Sequence, residues 1–123
     1  MNVAGLGVDL ADMGKMRKIL VGKAGRRFVE NTFTENEAQC AKGENISKLA
    51  TCFAAKEAVY KAFGTGWIEG RGVELLRDPE TGAPRIALHR EIKKIAKKRK
   101  IKKIMVSLSF TEAHVVAVAL LIS

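Results

Sequence analysis

Apolar and polar positions alternate along the first ten residues, which predicts a β-strand over residues 2–10. One face of this strand is entirely apolar and is expected to lie in the core. The other face carries two glycines and then a carboxylate. The apolar face consists of Ala4, Leu6, Val8 and Leu10, and the other face of Val3, Gly5, Gly7 and Asp9.

The spacing then becomes helical. A helix is predicted over residues 12–21 with Asp12 as its N-cap, followed by a helical turn at 26–31. Residues 34–37, Thr-Glu-Asn-Glu, have the pattern of a capping box and open a helix to about residue 41. Residues 42–45 form a polar break. The longest helix is predicted over 46–63, where it is stopped by Gly64 and Gly66.

The second half of the chain returns to short strands. Strands at 72–77 and 84–88 flank the turn 78–82 and form a hairpin, and a basic amphipathic helix is predicted over 91–100. Two further strands are predicted at 103–109 and 114–122. The order β-α-α-α-β-β-α-β-β predicts an α+β fold with a largely antiparallel sheet packed on the long helix.

Composition limits the class of protein. The chain has 123 residues, 47% hydrophobic and 28% charged with only two prolines, which predicts one folded domain over 1–123 and excludes a disordered chain. The apolar run at 115–122 is too short to cross a bilayer, and the first ten residues lack the basic segment of a secretory signal. We therefore expect a cytoplasmic protein. Cys40 and Cys52 are expected to be free thiols, not zinc ligands.

The positive charge is concentrated in two segments. The net charge is +9, and residues 85–103 contain ten Lys or Arg against one acid. A second basic cluster lies in residues 15–27. Such clusters favour a polyanionic partner: a nucleic acid, an anionic membrane, a phosphate-rich small molecule or an acidic protein. A solvated helix face is the alternative explanation for the first segment.

Candidate chemistry lies on the long helix. Its apolar stripe begins at Ile46 and, at helical spacing, leads to Glu57 and Lys61. These two residues either form an ordinary i,i+4 surface pair or, together with Asp9, mark a site. Two carboxylates beside a lysine suit Mg²⁺ next to a phosphate, because Mg²⁺ takes one or two protein carboxylates and leaves positions for phosphate and water.

Two segments carry a family resemblance. The sequences GLGVD at 5–9 and FAAKEAVYKAFGTG at 53–66 resemble the signature pair of phosphopantetheinyl transferases. The variant is similar to the short, single-domain holo-acyl-carrier-protein synthase family. Further matches lie at 27–28, 33–37, 82–84 and 106–109, so the resemblance covers nearly the whole chain.

The resemblance implies a reaction of fatty acid biosynthesis. The phosphopantetheine arm of coenzyme A would move to a serine of an apo acyl carrier protein, releasing adenosine 3′,5′-bisphosphate. Asp9 and Glu57 would hold Mg²⁺, and Lys61 would contact the phosphate and protonate the departing nucleotide. The base for the serine is either Glu57 or a metal-bound water. The coenzyme would also contact Lys61, Gly64, Thr65, Gly66, Gly82 and Pro84.

The resemblance also implies partners. The family is trimeric, with each active site between two subunits, and it docks an acidic carrier protein on its basic first helix. Neither a nucleic acid nor a membrane partner is expected. The docking residues would be Lys15, Arg17, Lys18, Arg26 and Arg27.

The sequence departs from the family pattern at two positions. Phe110 stands where members often have His, and Cys52 where they often have Arg, so a weaker contact with the nucleotide phosphates is expected.

Two alternative functions remain open. One is a nucleic-acid-binding module that uses the basic segment 85–103, which the family motif does not explain. The other is a catalytically impaired subunit that binds carrier proteins.

Overall fold

The computed structural model describes residues 1–40 and 45–123, the side chain of Cys40 excepted. The order of elements is the predicted one except that the helical turn predicted at 26–31 is a full helix, so four helices and not three lie between the first two strands; the fold is α+β. The strands are β1 (Val3–Asp12), β2 (Val73–Arg77), β3 (Pro84–Leu88), β4 (Lys103–Phe110) and β5 (His114–Ile122). The helices are α1 (Met13–Val21), α2 (Gly25–Thr32), α3 (Glu35–Cys40), α4 (Ile46–Phe63) and α5 (Arg90–Lys98).

Two antiparallel sheets surround α4. The larger sheet has the strand order β1-β5-β4, and the smaller one is the β2–β3 hairpin. The α4 helix packs against β1 and β5 on one side and against β2 on the other. Most of its residues are therefore buried, including Ala54, Ala58, Val59 and Tyr60. The predicted long helix is thus the centre of the core.

Two glycines of β1 let this strand approach α4 closely. A Cβ atom at Gly5 would lie 2.1 Å from the carbonyl oxygen of Ala62, and one at Gly7 would lie 2.0 Å from that of Ala58. No other residue type fits such a backbone contact. Because side chains alternate along a strand, Asp9 points to the same face as the two glycines. The close packing therefore directs Asp9 toward α4.

The prediction that the apolar face of β1 lies in the core is wrong. Leu6 and Leu10 are 65% and 66% exposed, and the glycine face is the buried one. Alternation shows that a strand has two faces but not which face approaches the helix, and here the close approach requires glycine. The exposed face continues across the paired strands. This apolar sheet face consists of Leu6, Val8, Leu10, Met105, Val116, Val118 and Leu120.

Local signals placed most helix ends correctly. The Asp12 side chain accepts a hydrogen bond from the Lys15 backbone N–H, as an N-cap does. Thr34 and Glu37 form both bonds of a capping box. Gly64 ends α4 with φ +73°.

Some bounds differ from the prediction. Strand β1 continues to Asp12, and α5 begins at Arg90 and ends at Lys98. Gly72, predicted to start a strand, belongs to a 3₁₀ turn. Of the predicted polar break at 42–45, only Asn45, the N-cap of α4, lies within the described residues. The side chain of Cys40 lies outside them.

Candidate functional site

An ion pair joins β1 to α4 at the centre of the candidate site. Lys61 Nζ lies 3.1 Å from Asp9 Oδ1 and donates a second hydrogen bond, 3.2 Å long, to the carbonyl oxygen of Val8. The Asp9 side chain is 13% exposed and that of Lys61 53%. The partner of Lys61 is therefore a carboxylate from a distant part of the sequence. The simple i,i+4 surface pair between Glu57 and Lys61 is not formed.

Glu57 lies one helical turn before Lys61 on the same face of α4. Burial raises the pKa of the Glu57 carboxyl group, and the negative charge of Asp9 raises it further, while Lys61 opposes the shift. The charge of Asp9 therefore acts on the Glu57 carboxyl group, so the two carboxylates repel each other. A cation between them would relieve their repulsion.

The donor set of this site fits a magnesium ion. The described residues contain no group of three or more His, Cys, Asp or Glu side chains that could hold a metal. The site therefore offers two carboxylates, those of Asp9 and Glu57. A zinc centre needs at least three protein ligands, whereas Mg²⁺ uses one or two carboxylates and completes its shell with water and phosphate oxygens.

A glycine turn follows directly after α4. Gly64 and Gly66 have φ values of +73° and +74°, and a Cβ atom at either position would meet nothing within 4 Å. The backbone of this turn is therefore open to a ligand. Thr65, between the glycines, bonds the carbonyl oxygen of Gly66 through its hydroxyl. Trp67 then packs on Phe53 and Tyr60, with ring centroids 5.5 and 5.4 Å away.

Two residues predicted to contact coenzyme A lie far from the glycine turn in the structure. Gly82 and Pro84 belong to the end of the hairpin, where Pro84 pairs with Arg77. Arg77 lines a cavity with Ser47 and other residues of the first half of α4. At about 1.5 Å per residue, this helix is about 27 Å long. Gly82 and Gly64 therefore lie toward opposite ends of α4 within one chain.

The five predicted docking residues are exposed on neighbouring helices. α1 begins four residues after Asp9 and packs against both α2 and α4, so its surface adjoins the site. Arg26 forms an i,i+4 pair with Glu30 at 3.3 Å. These side chains are Lys15, Arg17 and Lys18 on α1 and Arg26 and Arg27 on α2.

Sequence reasoning missed a buried ion pair behind the site. Lys56 Nζ lies 2.6 Å from Glu37 Oε1, and both side chains are 0% exposed. Lys56 also donates to the carbonyl oxygen of Val73, and Glu37 accepts from the backbone N–H groups of Thr34 and Leu75. The pair joins α3, α4 and β2 one residue before Glu57. The available signal was the Lys-Glu sequence within a helix that has no polar face.

The two departures from the family pattern line one cavity. Cys52 and Phe110 both face a space of about 630 Å³ between α3, α4 and β2, together with Thr51 and Arg77. Burial raises the pKa of the Cys52 thiol to about 12, with a further contribution from the charge of Glu37. Cys52 is therefore a poor nucleophile. No helix within the described part of the chain combines the length and apolar character that crossing a membrane needs.

Comparisons with known proteins agree on one family. Residues 5–119 match the model of the 4′-phosphopantetheinyl transferase superfamily. A curated holo-[acyl-carrier-protein] synthase of Alkaliphilus metalliredigens is 35% identical over 122 residues, covering 96% of this chain and 98% of the relative. One from Desulfovibrio desulfuricans is 33% identical and covers 97% of each chain.

Solved structures give the same result. The holo-[acyl-carrier-protein] synthase of Neisseria meningitidis superposes with a TM-score of 0.90 at 26% identity, over 99% of this chain and 100% of the other. The enzyme from Bacillus anthracis, solved in complex with CoA (3′,5′-ADP), superposes with a TM-score of 0.76 at 28% identity, over 97% and 96% of the two chains.

Proposed function

This chain belongs to the 4′-phosphopantetheinyl transferase superfamily, among its holo-acyl-carrier-protein synthases, and on this premise we propose its substrates, metal and mechanism. It transfers the phosphopantetheine arm of coenzyme A to a serine hydroxyl of an apo acyl carrier protein. The oxygen–phosphorus bond to the nucleotide breaks, and adenosine 3′,5′-bisphosphate leaves. The observation that carries this proposal is the meeting of Asp9 and Lys61 on the face of α4 that bears Glu57.

Each residue of the site has a distinct task. Asp9 and Glu57 would hold Mg²⁺, which when bound would neutralise charge on the pyrophosphate. Lys61, half exposed and fixed by Asp9, would contact the same phosphates with its ammonium group and return a proton to the departing nucleotide. The open backbone of the Gly64–Gly66 turn approaches the nucleotide. The basic side chains of α1 and α2 attract the acidic carrier protein.

The metal assignment predicts that transfer stops when Mg²⁺ is removed. Adenosine 3′,5′-bisphosphate released per carrier protein would be measured by liquid chromatography with and without a chelator. We expect release to cease with the chelator and to return when excess Mg²⁺ is added. Undiminished release from metal-depleted protein would contradict the assignment.

We further propose that the chain forms a trimer through its apolar sheet face. Leu6, Val8 and Leu10 are each at least 55% exposed, and monomeric proteins rarely expose a contiguous apolar patch of this kind. A site between subunits also accounts for the distance between Gly82 and Gly64. The turn of one subunit and the hairpin of its neighbour would then complete one coenzyme site.

A charge in the centre of this face is expected to separate the subunits. Val118 lies on the middle strand and is 37% exposed. In Val118→Glu, association would bury an unpaired carboxylate, and the free energy of its desolvation is expected to exceed the stabilisation by the interface. Light scattering during gel filtration should show a trimer for the parent and a monomer for the variant, with transfer lost. Thr111→Glu, exposed beyond the end of β4, is the control that stays trimeric. A monomeric parent chain would contradict the proposal.

A further inference from the structure

The α5 helix carries an exposed surface of like charge that the proposed function does not use. Four of its nine residues are exposed lysines, and Arg99 and Lys100 follow directly. No carboxylate of the described residues forms an ion pair with any of the four. We call these four side chains the α5 lysines: Lys93, Lys94, Lys97 and Lys98.

This arrangement lowers the stability of the isolated helix. Lys93 and Lys97, like Lys94 and Lys98, are four residues apart, and like charges at that spacing repel each other. Surface helices ordinarily alternate the sign of their charges at this spacing. Four unpaired ammonium groups on two turns are therefore expected to favour an anionic ligand.

Both ends of α5 are fastened to the segment that contains the glycine turn. At its start, Arg90 Nη1 lies 3.0 Å from Glu69 Oε2. At its end, Arg99 Nη1 donates a 2.7 Å hydrogen bond to the carbonyl oxygen of Phe63, and its guanidinium lies over the Phe63 ring. Phe63 and Glu69 bracket the Gly64–Gly66 turn. The α5 lysines are thus carried by a helix that is braced directly against the turn.

The chemistry of the surface distinguishes between possible polyanions. Residues 85–103 contain no Phe, Tyr or Trp, on which the bases of single-stranded nucleic acids would stack. The apolar residues Ile92 and Ala96 are buried in the core, so α5 has no apolar face to insert into a membrane. The polyanion that must reach the adjacent turn is the nucleotide end of coenzyme A.

We propose that the α5 lysines guide coenzyme A electrostatically to the glycine turn. This inference rests on the proposed function and adds the surface that captures the substrate. The helix is about 14 Å long, and the Debye length at physiological ionic strength is about 8 Å. Because both ends of the helix are bonded to residues that bracket the turn, the lysines act on a polyanion that approaches the turn. They raise the rate of capture and leave the chemical step unchanged.

The test replaces all four α5 lysines by glutamine, which removes the charges and keeps helix propensity. Coenzyme A binding would be followed by stopped-flow fluorescence of Trp67, the only tryptophan, and by calorimetry. At low salt we expect the association rate to fall about tenfold in the variant. The two proteins should converge at high salt, kcat should be unchanged, and the KM for the carrier protein should stay the same.

The matched variant Lys15→Gln/Arg17→Gln/Lys18→Gln removes positive charge from α1. It should raise the KM for the carrier protein and leave coenzyme A capture unchanged. Equal capture rates for parent and α5 variant at low salt would overturn the inference alone. So would an α5 variant that loses binding to DNA or to anionic vesicles while it captures coenzyme A normally. Absence of coenzyme A binding to the parent by calorimetry would overturn the proposed function as well.

Discussion

Asp9→Asn and Glu57→Gln are each expected to lower kcat for phosphopantetheine transfer at least about a hundredfold. Either change removes one of the two carboxylates proposed to hold Mg²⁺; Asp9 pairs with Lys61, and its charge acts on Glu57. Charge stabilisation by a bound metal contributes several kcal/mol to such a reaction, and about 1.4 kcal/mol corresponds to a tenfold change in rate. Both side chains keep their size, so the fold should be preserved.

The readouts are the initial rate of carrier modification and its dependence on Mg²⁺ concentration. We expect both variants to need more Mg²⁺ as well as to turn over more slowly. Circular dichroism would confirm that they are folded. Glu35→Gln, which neutralises an exposed carboxylate in the first turn of α3, is the matched control and should behave as the parent. Unchanged transfer by Glu57→Gln would refute the assignment of the metal ligands.

Lys56→Ala is expected to lower the free energy of unfolding by about 3–5 kcal/mol, because it leaves the charge of Glu37 buried without its partner. Total domain stabilities are only about 5–15 kcal/mol. This substitution should therefore have the largest effect on stability among the lysines of the described residues. Burial lowers the pKa of Lys56, and the charge of Glu37 beside it opposes that shift.

Urea denaturation of a double-mutant cycle would measure the coupling between the two side chains. The partner variants are Glu37→Gln, Lys56→Met and the double variant, which removes both charges and keeps side-chain volume. We expect the double variant to be more stable than Lys56→Met alone. Lys102→Ala, an exposed lysine whose backbone N–H bonds Ile122, should stay within about 0.5 kcal/mol of the parent. Additive effects at Glu37 and Lys56 would contradict the account.

The elements were predictable because their signals are local. The Asp12 N-cap, the Thr34–Glu37 capping box and the glycines after α4 all act within a few residues of where they stand. The facing of β1 was not predictable in this way. A strand with one apolar face and one glycine face can pack either face inward. The choice depends on how close α4 comes, which is a property of the whole fold.

For the candidate site, too, the sequence predicted some features and not others. Asp9, Glu57 and Lys61 were predicted from their motif and from helical spacing, and the structure brings Asp9 and Lys61 into contact. Glu37 and Lys56 are 19 residues apart, so the Lys-Glu sequence in α4 could indicate a buried charge but not its partner. The separation of Gly82 from Gly64 likewise emerges only when the hairpin is packed along α4.

Intact mass spectrometry of an acyl carrier protein tests the central claim most directly. The apo carrier protein would be incubated with this chain, coenzyme A and Mg²⁺, beside a carrier protein whose acceptor serine is replaced by alanine. We predict that the first gains the mass of one phosphopantetheine arm and that the second gains nothing. An unmodified apo carrier protein, after incubation with a chain shown to be folded and to bind coenzyme A, would contradict the account.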